Sequence, residues 1–184
     1  MSRPNPLYRK LSLNGEINTQ NITSIINEIH KINHDDDTNE QIYANWERKP
    51  IYLYIQSQGG SIYDGLALVD VIEQSKTPVH TISIGLSMSM GLWIFLAGKK
   101  RLIGKNSTLI FHDVSTVIAD KCEGIKLGLE ESMRLRDMIC ETITSRSLVK
   151  QELLDDYLNR KAEWFISSKQ AIDLKLADEY YKEI

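Results

Sequence analysis

Between Pro50 and Gly85 the hydrophobic period of the chain changes twice. "PIYLYIQS" is dense in β-favouring residues and is closed by Gly59-Gly60. "SIYDGLALVDVIEQSK" then sets Ile62, Leu66, Val69 and Ile72 at helical spacing. Pro78 ends that segment, and "VHTISIG" returns to a strand-like alternation. Strand, helix and strand in close succession make a crossover between parallel strands, whose sheet needs cover on both faces. The fold class expected is therefore α/β.

The flanking sequence continues the alternation. "YRKLSLNGEI" (Tyr8 to Ile17) reads as a short strand with a turn at Asn14-Gly15. Ile22, Ile25, Ile26, Ile29 and Ile32 then predict a helix capped by Asn18 or Thr19. "NHDDDTNEQIYANWERK" has no sustained period, so Asp35, Asp36 and Asp37 are expected in a solvated loop; no glycine stands where a calcium loop would need one. "SMGLWIFLAGKK" reads as a helix buried on most sides, and "RLIG" and "STLIFHD" as short strands around a turn at Lys105-Asn106. A long amphipathic helix is expected from Lys121 to Arg146, another in "KQELLDDYLNRK", and a last helix and strand in "SSKQAIDLKLADEY".

Length and charge narrow the function classes. At 184 residues one domain over 1–184 is expected, able to bury roughly two-thirds of its unfolded surface. A net charge of −3 gives no footprint for nucleic acid. Cys122 and Cys140 have no CxxC spacing, so they are expected as buried or partly buried free thiols, with no metal and no disulfide. No apolar run is long enough to span a membrane and no secretory signal opens the sequence, which together give a cytoplasmic expectation.

Three places could carry chemistry. "SQGGS" (Ser57 to Ser61) lies at a strand end before a helix, where glycine amides can turn toward an anion or a developing oxyanion; a bare turn fits equally well. "GLSMSMGLW" puts Ser87 and Ser89 at a strand-to-helix junction, where a helix dipole favours an alkoxide; small residues filling a turn would look the same. It is not the G-x-S-x-G elbow. His112 ends "STLIFH" and gains meaning only opposite a nucleophile, while His30, His34 and His80 lack supporting context. Together the Gly-Gly, Ser and His elements form an acyl-transfer set that needs an acid.

These motifs, in order, resemble the proteolytic subunits of the Clp protease family. "YIQSQGGS" and "LSMSMG" are similar to the family's Y-I-N-S-P-G-G-S and A-S-M-G-A, with the 29-residue step from Gly60 to Ser89 kept. "NSTLIFHD" resembles N-S-R-x-M-I-H-Q, and "WFISSKQAIDLKLADEY" resembles the family's C-terminal F-[ML]-S-A motif; the likeness runs from about Leu7 to Tyr180. It implies a ClpP/crotonase-like α/β fold of stacked β-β-α units with a protruding long handle helix (about 121–146). It also implies Ser89 as nucleophile, His112 as general base, and the backbone N–H groups of Gly60 and Met90 as oxyanion hole. Glu163 stands where the family has its triad aspartate, with Asp113, Asp155 and Asp178 as fallback orienters; Asp178 also matches a structural aspartate. Gln58 replaces the proline of S-P-G-G, the Asp35–Arg48 region is enlarged, and about ten residues precede the first expected strand, where the family carries a longer axial gate.

The implied protein is a serine endopeptidase without cofactor. It would be a homo-oligomer of heptameric rings stacked in pairs, taking unfolded polypeptide or peptides, with an ATP-driven unfoldase as possible partner. A non-catalytic ring subunit keeping the fold is the alternative. An acyl-CoA enzyme of the crotonase group shares the fold, but does not place Ser and His at these positions.

Overall fold

The structure, a computed structural model, describes residues 9–182. Strand β1 (Lys10–Ile17) leads into α1 (Thr19–Ile42), which Asn18 caps through a reciprocal pair of hydrogen bonds with Asn21. Then follow β2 (Ile51–Gly60), α2 (Ile62–Gln74), β3 (Val79–Met88), α3 (Met90–Ala97), β4 (Lys100–Ile103) and β5 (Thr108–Phe111). The chain continues through α4 (Cys122–Arg146), α5 (Gln151–Asn159), β6 (Trp164–Ser167), α6 (Ser168–Asp173) and β7 (Glu179–Tyr180). Tyr8, where the first strand was expected to begin, lies outside the described residues.

Strands β1-β2-β3-β4-β7 lie side by side and parallel, as the crossover argument requires. Strand β3 forks. Its first half, His80 to Ser83, pairs with β4, and its second half, Leu86 to Met88, pairs with β5. Gly85 makes the fork possible with φ +71°, and the Ser107 hydroxyl pins it by donating to Ser83 O and accepting from Gly85 N–H, each at 3.0 Å. The second half thus exchanges β4 for β5 on one side while Ser87 stays in register with Ser57 of β2 on the other. Strand β6 then adds antiparallel to β5, with Phe111 opposite Trp164.

The core is aliphatic and continuous from β1 through α2 to α3, and every residue of α3 is buried. In α4 the burial is split: Leu135, Ile139, Cys140 and Ile143 are covered, while Ile125, Leu127, Leu129 and Met133 are exposed. The first turns of this helix therefore stand off the core, as a handle would. No helix among the described residues is long and apolar enough to cross a membrane.

Two expectations are corrected. The acidic run is no loop: α1 continues through Asp35, Asp36 and Asp37 to Ile42. The cause is tertiary. Asp36 is wholly buried, where Arg9 donates to both of its oxygens (2.5 and 2.9 Å), with Thr77 (2.6 Å) and Trp46 Nε1 (3.1 Å) as further donors. Arg48 ties down the solvent side by bonding Asp37 and Glu40. The second correction concerns Cys122, which is exposed at the start of α4; only Cys140 is buried, and burial pushes its thiol up to about 11.

Candidate active site

Ser89 is the hinge between β3 and α3, with φ +56° and ψ −123°, a conformation costly for any residue with a side chain. The surrounding structure imposes it. Ser89 N–H donates to Ile110 O (3.1 Å), and Ser89 O accepts from the N–H groups of Leu92 (3.0 Å) and Trp93 (3.3 Å). The first amides of α3, that of Met90 included, have no acceptor within their own helix and carry its positive dipole end. Ser87, two residues earlier, is buried and exchanges a hydrogen bond with Ser83 Oγ (2.8 Å), so it fills space.

The Gly59-Gly60 turn is pressed against this junction. A Cβ on Gly59 (φ +97°) would lie 2.8 Å from Ser89 Cβ, and one on Gly60 (φ +146°) would lie 2.3 Å from Ile17 O. Ser57 holds the turn by donating to Gly15 O (2.6 Å) and accepting from Gly59 N–H (3.0 Å). Gly59→Ala is expected to displace Ser89 while leaving most of the sheet intact. Its kcat/KM on a peptide should fall about 100-fold or more, with a much smaller loss of folded fraction by circular dichroism.

His112 directly follows β5, and its Nε2 is buried without a hydrogen-bond partner. Such an orphan needs an explanation, and catalytic sites are one place where orphans are kept. A pocket of about 240 Å³ brings Gly60, Ser89, Met90 and His112 together. Its remaining lining is largely apolar, with Ile62, Leu92, Trp93, Phe111 and Ile139, and Gln58 at its edge. The apolar lining is the part that sequence reasoning missed; the signal available was Trp93, one helical turn after Ser89.

Glu163 is not part of the pocket lining. It is exposed, and no hydrogen bond joins it to His112. The last pair of the β5–β6 ladder is Phe111 with Trp164; His112 directly follows the one strand and Glu163 directly precedes the other, so both flank the same end of that ladder. Among the fallback acids, Asp113 lines the pocket but accepts from Val114 N–H (2.8 Å), and Asp155 accepts from Gln151. Asp178 is committed to Arg101, which reaches it through its backbone N–H (2.8 Å) and Nη2 (2.7 Å). Burial pushes the Asp178 carboxyl up, but the Arg101 bonds outweigh it and hold the group below the ordinary carboxylate value. Among the described residues no His, Cys, Asp and Glu cluster is placed to hold a metal.

The sequence model of the Clp protease family matches residues 7–183. The chain is 30% identical over 173 residues to "ATP-dependent Clp protease proteolytic subunit 3" of Synechococcus sp. (strain CC9902), covering 92% of this chain and 80% of the relative. It is equally similar, with the same coverage, to "ATP-dependent Clp protease proteolytic subunit 2" of Prochlorococcus marinus subsp. pastoris. A shorter match, 30% over 132 residues, joins it to the proteolytic subunit 2 of Parasynechococcus marenigrum and spans 71% of this chain and 66% of that relative.

Proposed function

The chain belongs to the Clp protease family, and from that premise we propose that it is a serine endopeptidase whose nucleophile is Ser89. The observation that carries the reading is the orphaned His112 Nε2, buried in the same pocket as a serine held at positive φ. His112 takes the Ser89 hydroxyl proton as Oγ bonds to the scissile carbonyl carbon. The carbonyl oxygen becomes an oxyanion facing the amides of Gly60 and Met90, whose fixed dipoles need no rearrangement to receive it. Collapse breaks the C–N bond, and His112 returns the proton to the leaving amine. Water, deprotonated by the same histidine, then releases the acyl group from Ser89.

Glu163 is the acid in this scheme. Opposite residues on antiparallel strands keep their Cβ atoms about 5 Å apart, within reach of a glutamate and an imidazole. Catalytic hydrogen bonds are commonly looser in a free enzyme than in its substrate complex. Glu163→Gln is expected to lower kcat by about 10²- to 10⁴-fold with little change in KM. Asp178→Asn should instead act on stability through Arg101.

The exposed apolar residues of α4 fit a handle that packs against a facing ring of copies, and enclosure in such rings would restrict substrates to unfolded chains and short peptides. The apolar pocket favours an apolar side chain on the residue that supplies the scissile carbonyl. A quenched-fluorescent peptide carrying leucine there tests the reading on the assembled protein. Cleavage after leucine, located by mass, is expected; an intact peptide would leave a non-catalytic ring subunit as the function.

A further inference from the structure

The pocket beside Ser89 is not the only cavity along α3. A second, of about 320 Å³, lies between α2 and α4, with an apolar part at Leu66, Trp93 and Met138 and a charged part at Glu73, Glu141 and Arg146. The two cavities share one lining residue, Trp93. Each is framed by the same pair of helices. On α2 the lining moves from Ile62 in the first cavity to Leu66, one turn on, in the second. On α4 it moves from Ile139 to its neighbours Met138 and Thr142. The two cavities thus adjoin at Trp93.

The position of that indole follows from the helix period. Trp93 stands four residues after Ser89, in the first turn of α3, with its backbone N–H bonded to Ser89 O (3.3 Å). It is 5% exposed and therefore fixed by packing. Gly65 helps to close the groove there, since a Cβ on it would meet the Met90 side chain at 2.3 Å, bringing α2 close onto α3. Trp93 and Ser89 line the same pocket, so the indole borders the space open to a side chain beside the nucleophile.

We infer that Trp93 determines specificity: it forms the floor of the subsite next to the nucleophile, and its removal joins that subsite to the α2–α4 groove. This inference rests on the peptidase reading above. With Trp93 present, the subsite ends within one helical turn of Ser89 and suits apolar side chains of leucine size. Without it, a long aromatic side chain gains room to pass between Leu66 and Met138.

The test measures kcat/KM for peptides identical except at the residue supplying the scissile carbonyl, which is alanine, leucine, phenylalanine or biphenylalanine. Wild type, Trp93→Phe and Trp93→Ala are compared, and Ser89 labelling by a fluorophosphonate is followed in each. Trp93→Ala should raise the biphenylalanine-to-leucine ratio by about tenfold or more, the scale on which apolar pockets discriminate by size. Trp93→Phe, which keeps an aromatic ring and the helix packing, should move it the same way by about threefold, and it decides the matter if Trp93→Ala does not fold. Variants that label at Ser89 yet keep the wild-type ratio would overturn the inference and leave the peptidase standing. Wild type that does not label would remove the peptidase reading and this inference with it.

Discussion

Ser89→Ala is expected to abolish peptide hydrolysis, with kcat falling by about 10⁴-fold or more, while Ser87→Ala stays within a few-fold of wild type. The two serines are separated by one residue and differ in everything the reaction needs. Ser87 is buried and engaged with Ser83. Ser89 lines the pocket with His112 at the positive end of α3. Alanine at position 89 faces the same positive φ as serine, so Ser89→Ala should keep the wild-type thermal midpoint. Loss of rate at constant stability would therefore report chemistry alone. Equal loss in both variants would mean that the junction, not a nucleophile, had been damaged.

The second large effect is on stability, far from the pocket. Asp36→Ala is expected to cost about 3–5 kcal/mol, because it leaves the Arg9 guanidinium buried without its counter-charge. Arg9 is 6% exposed, and its other bond is to Lys49 O (2.7 Å). Asp36→Asn should cost less, since an amide oxygen still accepts from Arg9 and Thr77. Urea denaturation of the three proteins measures the difference. The pH dependence has a definite sign. Burial alone would push the Asp36 carboxyl up, but the bonds from Arg9, Thr77 and Trp46 outweigh it and hold the group below its ordinary value of 3.8. A depressed carboxyl stabilises the fold fully above that ordinary value, and the contribution is lost as pH falls through the folded value. Wild type should thus lose stability more steeply than Asp36→Asn below about pH 4.

This same network marks where reading the sequence failed. Helical spacing was visible to Ile32, and beyond it nothing apolar repeats. What carries the helix to Ile42 is a set of partners at sequence distances of 10, 27 and 41 residues, Trp46, Arg9 and Thr77. No local pattern announces them. Strand β6 was missed for a related reason: four residues of alternating burial, Trp164 to Ser167, are too few to separate from the helix that follows. The fork in β3 was equally hidden, since Gly85 looks like the end of a strand and is a bend within one.

The site was more legible than its surroundings. Gly59-Gly60, Ser89 and His112 each stand at the end of an element whose period is strong, and the parallel topology carries those ends to one side of the sheet. The proposed acid was harder, because only β6, the strand the sequence did not reveal, sets Glu163 at the same end of a ladder as His112, and an exposed glutamate in a charged segment carries no mark of a role. The pocket walls were harder still. Ile62 and Ile139 lie 77 residues apart, and only the packing of both α2 and α4 against α3 brings them to one pocket.

The central claim is that Ser89 is an activated nucleophile, and reaction with a fluorophosphonate tests it most directly, read as intact mass followed by peptide mapping of the assembled protein. A single adduct on Ser89, absent from Ser89→Ala and strongly slowed in His112→Ala, is the predicted result. No adduct on an intact oligomer, or an adduct on any other serine, would contradict the account.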